Sequence, residues 1–181
     1  MKKEFVVMFL FMAFLLSGCA TTSTSKAGAD KKLKTYSGDL NGDGVKEIVE
    51  SLDKFDTESV FVVTVKNQDK KKKTTETLDT ITVPGKLRKL ELVEISGDNK
   101  KQIALFFDDK NNVSNIMLLG FQNNKLSKMF EASSKYGINS EFYPAVPRIK
   151  IGKAPITGEN SPNRVPEWES WVWTGDKFIK E

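Results

Sequence analysis

The fold of this chain is decided by the stretch Asp39-Leu40-Asn41-Gly42-Asp43-Gly44-Val45-Lys46-Glu47-Ile48-Val49-Glu50. Oxygen-bearing side chains recur along it, and its glycines permit the backbone angles of a tight turn. A hard cation such as Ca2+ takes about six to eight oxygen ligands at about 2.3–2.6 Å, so a loop with an oxygen at every second residue suits it. We predict one structural Ca2+ site, whose ligands are the side chains of Asp39, Asn41, Asp43 and Glu47 and the backbone carbonyl of Val45.

An ordinary hairpin turn is the alternative interpretation of the same residues. Asn-Gly and Asp-Gly pairs mark such turns, and both occur here, at Asn41-Gly42 and Asp43-Gly44. A plain turn needs fewer oxygen-bearing side chains than this loop carries. The pattern therefore favours a metal loop.

The loop resembles the metal loops of two known families. Its acids, its glycine and Glu50 match the spacing of an EF-hand, but an EF-hand has a helix on each side. Residues 34–38 are too short and turn-like for a helix, and residues 59–65 are rich in β-branched side chains, which is typical of a strand. Residues 39–48 also match the D-x-N-G-D-G-x-x-[DE]-[IL] pattern of FG-GAP or VCBS-type repeats. In those repeats the cation loop joins two strands of a β-propeller blade, and the strand-rich flanks favour this second resemblance.

Internal repeats support the blade interpretation. A shift of about 55 residues places the start of the loop on Glu94-Ile95-Ser96-Gly97-Asp98, and Glu47-Ile48-Val49 on Gln102-Ile103-Ala104. The same shift places Phe61-Val62-Val63 on Ile116-Met117-Leu118, and that run on Trp171-Val172-Trp173.

The second copy of the loop, from Glu94 to Gln102, is degenerate. Ser96 replaces Asn41, Asn99 replaces Gly44, and Gln102 replaces Glu47. The copy keeps the turn but has lost formal charge, so we expect weak metal binding there or none.

These observations predict an all-β fold, with antiparallel strands in about three blade-like repeats over residues 34–181. A closed propeller typically has about four or more blades. An incomplete or distorted propeller is therefore expected, and a β-sandwich is the alternative.

The first residues of the chain predict export and a lipid anchor. A short basic start is followed by an apolar run over residues 5–16, too short to span a membrane but typical of a signal peptide. Leu16-Ser17-Gly18-Cys19 then resembles the lipobox of bacterial lipoproteins. The resemblance implies cleavage after residue 18, a lipid on the thiol of Cys19 and a flexible tether over residues 19–33. The expected location is the cell envelope, at the outer face of the cell membrane or in the outer membrane.

Composition narrows the possible chemistry. The chain has no His, and its single Cys is Cys19, which removes Ser-His and Cys-His nucleophiles. The net charge of +4 indicates no particular acidic partner. The basic run Lys70-Lys71-Lys72-Lys73 has no interleaved aromatic residues for stacking on bases, so we predict no nucleic-acid binding.

Three functional hypotheses follow. The first is a membrane-anchored module for binding or scaffolding, stabilised by Ca2+, with a protein or glycan partner. The second is an accessory subunit of an envelope complex. The third is a hydrolase of glycosides that uses a carboxylate pair such as Asp108 with Asp109 or Glu167 with Glu169. Nothing in the sequence groups these acids into a cleft, so we predict no catalytic residues.

Trp171 and Trp173 share one strand face, because side chains alternate along a strand. Two interpretations are open for them: packing in the core, which is favoured, or a platform for sugar rings.

Overall fold

The structure is a computed structural model that describes residues 33–55, 59–69, 72–142, 145–155 and 166–181. The predicted signal peptide, the lipobox with Cys19 and the tether before Leu33 lie outside these residues. So do the predicted loop over residues 158–164 and two lysines of the basic run, Lys70 and Lys71. Among the described residues, no helix is long and apolar enough to cross a membrane.

The described residues form strands and no helix, arranged in three four-stranded sheets. The first sheet contains β1 (Leu33–Gly38), β2 (Glu47–Phe55), β3 (Ser59–Asp69) and β4 (Thr74–Pro84). The second sheet contains β5 (Lys86–Glu94), β6 (Lys101–Asp108), β7 (Ser114–Gln122) and β8 (Lys125–Ser134). The third sheet contains β9 (Ile138–Glu141), β10 (Arg148–Pro155), β11 (Pro166–Trp173) and β12 (Phe178–Lys180).

Each sheet is an antiparallel meander in which strands consecutive in sequence are neighbours. The predicted all-β fold of three blade-like units is thereby confirmed. No sheet closes on itself, which is consistent with an incomplete propeller or with stacked sheets of the sandwich kind.

Two apolar cores join the sheets face to face. The first core lies between the first and second sheets and includes Val49, Phe61, Val63, Leu105 and Leu119. The second core lies between the second and third sheets and includes Ala104, Ile116, Leu118, Ile149 and Ile151. The second sheet is therefore covered on both faces, which explains the nearly continuous apolar runs in β6 and β7.

The repeat offset holds for the loops but changes along the sheets. In the first sheet Phe61 pairs with Asp53, whereas in the second sheet Ile116 pairs with Phe106, a register that differs by two residues. A shift of two residues keeps every side chain on the same face. Phe61 of the first sheet and Ile116 of the second each face the next sheet along the chain. Their counterpart Trp171 in the third sheet faces back toward the second sheet. The constant offset therefore does not extend to the third sheet.

Two of the three tryptophans of β11, Trp171 and Trp173, pack against the second core, as the core-packing interpretation predicts. The Trp171 ring meets Phe130 edge to face with centroids 5.5 Å apart, and the Trp173 ring lies 5.3 Å from that of Phe178. Both indoles are half-buried. They close the core rather than form an exposed platform.

The acid stability of the third sheet should depend on Glu169. Its carboxylate accepts hydrogen bonds from Lys180 Nζ at 2.7 Å and Trp171 Nε1 at 2.8 Å, and it pairs with Lys153 Nζ at 3.2 Å. The Lys180 bond is the largest of several contacts that lower the Glu169 pKa from 4.5 to about 2. Because the folded-state pKa is lowered, this stabilisation is present above the ordinary pKa and is lost as the pH falls from 4.5 to about 2.

We expect a carboxyl-detected NMR titration to give Glu169 a pKa of about 2. Glu169→Gln should remove the part of the acid unfolding that falls in that pH range. Glu141, which has a single long ion pair of 3.7 Å to Lys150, is the control, and Glu141→Gln should leave acid unfolding unchanged. A Glu169 that titrates near its ordinary pKa would contradict the network.

Candidate metal site

The predicted metal loop connects β1 to β2. Gly38 and Glu47, the residues on either side of it, are register partners in the antiparallel pair. A strand therefore lies on each side of the loop, as in the blade repeats that the sequence resembles and unlike the helices of an EF-hand.

Asp39 holds the first half of the loop together. Its Oδ1 accepts the Gly42 N–H at 2.6 Å, and its Oδ2 accepts the Gly44 N–H at 2.9 Å. Both glycines have positive φ, 84° and 82°, a conformation that a side chain disfavours. The turn residues identified in the sequence thus serve to aim backbone N–H groups at one carboxylate.

The other predicted ligands meet around Asn41. Its Oδ1 accepts the Asp43 N–H at 2.9 Å. Its Nδ2 donates to Asp43 Oδ2 at 3.0 Å and to Glu47 Oε1 at 3.2 Å. Asp43 Oδ1 also accepts the Val45 N–H at 2.7 Å. The side chains of Asp43 and Glu47 therefore both contact the Asn41 amide.

Glu47 is the buried member of the set. Only 3% of it is exposed, and its Oε2 accepts the N–H of Leu40, whose side chain is part of the first core. Burial raises the pKa of the Glu47 carboxyl, and the negative charges of Asp43 and Asp39 add to the rise. A buried carboxylate beside like charges is costly unless a positive charge compensates it.

The second loop, between β5 and β6, repeats this backbone arrangement. The Ile95 N–H donates to Gln102 Oε1 at 3.0 Å, as the Leu40 N–H does to Glu47. The Asn99 N–H donates to Glu94 Oε1 at 3.3 Å, as the Gly44 N–H does to Asp39. Gly97 and Asn99 have positive φ, like their counterparts. The predicted loop repeat is therefore present in the structure.

The two loops differ in how their charges are balanced. In the second loop Glu94 pairs with Lys101 Nζ at 3.0 Å, and Asp98 pairs with Lys100 Nζ at 3.4 Å. In the first loop no ion pair to a described Lys or Arg joins Asp39, Asp43 or Glu47. The second loop is neutralised by its own lysines, whereas the first holds three carboxylates without such a partner.

The residues of the first loop fit a cation in donor chemistry and in charge. They offer carboxylate, amide and backbone carbonyl oxygens, which Ca2+ prefers, and their net charge is negative. Across the described part of the chain, no group of three or more His, Cys, Asp or Glu side chains is arranged to hold a metal ion. In this conformation the loop closes on the Asn41 amide nitrogen instead.

Sequence reasoning did not identify Lys100 and Lys101 as the groups that pair with the carboxylates of the second loop. Their position beside Glu94 and Asp98 in the sequence was the available signal. Lys101 corresponds in the repeat to Lys46, which is exposed and has no ion pair to a described residue.

Three of the four acids considered for hydrolysis have structural partners. Asp108 pairs with Arg88 at 3.4 Å, and Asp109 Oδ1 accepts the N–H groups of Asn111 and Val113 in the β6–β7 turn. Glu169 belongs to the lysine network described above.

Comparison with known proteins adds no family to these observations. No protein-family model matches the chain, and no curated protein matches it in sequence. The fold and the loop define the class of protein as all-β, with three blade-like sheets and an oxygen-rich loop between the first two strands. The FG-GAP or VCBS resemblance and the lipobox resemblance stay predictions from their sequence motifs.

Proposed function

We propose that this chain is a membrane-anchored lipoprotein of the cell envelope, whose β-repeat domain binds one structural Ca2+ and acts as a module for binding or scaffolding. The observation that carries the Ca2+ proposal is the charge difference between two loops of the same backbone arrangement. The membrane proposal rests on the lipobox residues Leu16-Ser17-Gly18-Cys19, which lie outside the described residues.

In the proposed site Asp39, Asn41, Asp43, Glu47 and the Val45 carbonyl would hold Ca2+, which would supply the positive charge that the buried carboxylate lacks. The loop also contacts the second sheet, because the Lys101 N–H donates to the Asp39 carbonyl at 2.7 Å. Ordering the loop would therefore stabilise the packing of the first sheet on the second. This is a structural role, since ligand binding to the folded state alone raises its stability.

The melting temperature of the full-length chain should rise with Ca2+. A ligand at about 100 times its dissociation constant adds about 2.7 kcal/mol, which for a chain of this size corresponds to a rise of about 5–10 °C. Asp43→Ala removes one ligand and one charge, and we expect it to abolish the rise. Circular dichroism melts in detergent, with Ca2+ or with a chelator, make the measurement.

Two variants control this experiment. Asp98→Ala changes the corresponding residue of the second loop, and the Ca2+-dependent rise should survive it. Glu47→Gln reproduces the amide of Gln102, keeps an acceptor for the Leu40 N–H and should abolish the rise. An intact chain whose melting temperature ignores Ca2+, or an equal loss in Asp43→Ala and Asp98→Ala, would reject the metal site.

The lipid anchor gives a separate prediction. Cys19 is the only thiol in the chain, so it is the only side chain that a diacylglycerol thioether can modify. Cells that express the natural chain and are fed an alkyne fatty acid should label it, and Cys19→Ser should abolish the label. Label that persists in Cys19→Ser would contradict the lipobox. An accessory-subunit role predicts in addition that a stoichiometric partner co-purifies from membranes.

A further inference from the structure

A cavity of about 590 Å³ lies where the two loops meet the turn between β7 and β8. This volume is in the range of small-molecule sites, about 300–1,000 Å³. Asn41 of the first loop and Gln102 of β6 line one part of it, and residues 120–124 with Ser127 and Met129 line the other. The cavity therefore adjoins the candidate metal loop and shares Asn41 with it.

Several polar side chains of this cavity have no hydrogen-bond or ion-pair partner among the residues that the structure describes. Gln122, Asn123, Asn124 and Ser127 line it, and none of their side chains makes a hydrogen bond or ion pair to another described residue. Asn123 and Asn124 have positive φ, 52° and 58°, which fixes the β7–β8 turn. The free amides are thus presented from a defined turn between paired strands.

The lining carries no unpaired charge. Its one charged side chain, Lys100, pairs with Asp98 at 3.4 Å, and the Lys100 stem lies against Gly42, where a Cβ would come within 2.5 Å of it. An anion such as phosphate would find no free cation here. Amides donate and accept hydrogen bonds, and so do hydroxyl groups, which makes a polyhydroxylated neutral ligand their natural partner.

The cavity also has an apolar part. The half-buried Met129 lines it and crosses β7 at Gly120, where a Cβ would come within 2.9 Å of its sulfur, whereas Leu40 and Phe121 of the lining are nearly buried. A sugar ring combines hydroxyl groups on its rim with apolar C–H faces. We propose that this cavity binds a neutral carbohydrate. The inference rests on the binding role proposed above and adds a ligand class to it.

The test uses the full-length chain in a detergent without a sugar headgroup. Cellohexaose and the hexamer of N-acetylglucosamine are the neutral probes, and an oligogalacturonate is the acidic one. We expect calorimetry to detect at least one neutral probe and not the acidic one. The double variant Asn123→Gly with Asn124→Gly removes both amides and tolerates positive φ, and it should weaken binding about tenfold or more, since two hydrogen bonds are lost.

Asn112→Gly is the matched control. Asn112 also has positive φ, 57°, in an exposed turn of the second sheet, but it does not line the cavity. It should leave binding unchanged. The proposal is overturned if no neutral probe binds, if the acidic probe binds more tightly, or if the double variant binds as well as Asn112→Gly. Loss of carbohydrate binding with an intact Ca2+-dependent rise in melting temperature would remove this inference alone.

Discussion

Phe61→Ala is expected to lower the free energy of unfolding by about 3–5 kcal/mol, the usual cost of emptying a large aromatic site. Phe61 has 0% exposure and stands on β3 at the centre of the first core. Its ring meets Phe107 of β6 edge to face with centroids 5.5 Å apart, so the loss falls on the contact between the first and second sheets. Urea denaturation followed by circular dichroism measures it.

Ile179→Ala is the control for this prediction. Ile179 lies on β12 and is 43% exposed, so truncation should cost less than about 1 kcal/mol. If Phe61→Ala cost no more than Ile179→Ala, the face-to-face packing of the first two sheets would be wrong. Because the first loop contacts both sheets, Phe61→Ala should also lower the melting temperature with and without Ca2+. Asp43→Ala, in contrast, is expected to abolish the proposed rise with Ca2+.

Much of the fold is predictable because its strands alternate. In β3 the residues Phe61, Val63 and Val65 are fully buried and the residues between them are half-buried, which is the period-two pattern of a strand with one covered face. The sequence signal is weaker in the third sheet. β9 (Ile138–Glu141) was not predicted, because it is four residues long and forms by pairing with β10, where Ile138 lies opposite Ile151.

For the candidate site, the sequence predicted which side chains share one loop but not the burial of Glu47 or the charge balance of the loops. Asp39, Asn41 and Asp43 stand at alternate positions of one short stretch, so one loop brings them together whatever the rest of the fold does. The burial of Glu47 depends on the core that Leu40 enters, and a sequence pattern does not show such packing. The neutralisation of the second loop by Lys101 likewise depends on a side-chain rotamer that places its Nζ beside Glu94.

Gly85→Ala should be the most damaging change at a single backbone position. Gly85 is the only residue between β4 and β5, so it alone carries the chain from the first sheet to the second. Its φ is 124°, and a Cβ there would collide with the backbone carbonyl oxygen of Asp108 on β6. Strain at such a φ costs about 1–3 kcal/mol, and overpacking against a fixed backbone adds about 1–3 kcal/mol. We therefore expect a loss of about 2–6 kcal/mol in urea denaturation.

Gly175→Ala separates these two costs. Gly175 has a similar φ of 107°, in the turn between β11 and β12, but a Cβ there would meet nothing within 4 Å. Its loss should therefore contain only the backbone strain, about 1–3 kcal/mol. The excess loss in Gly85→Ala then measures the collision with Asp108, and it should be accompanied by loss of the Gly85 N–H bond to the Ser59 carbonyl, which is 2.6 Å long. Equal losses at the two glycines would mean that the backbone around Gly85 moves to accommodate a Cβ. Gly85 would then not hold the first two sheets in one fixed arrangement.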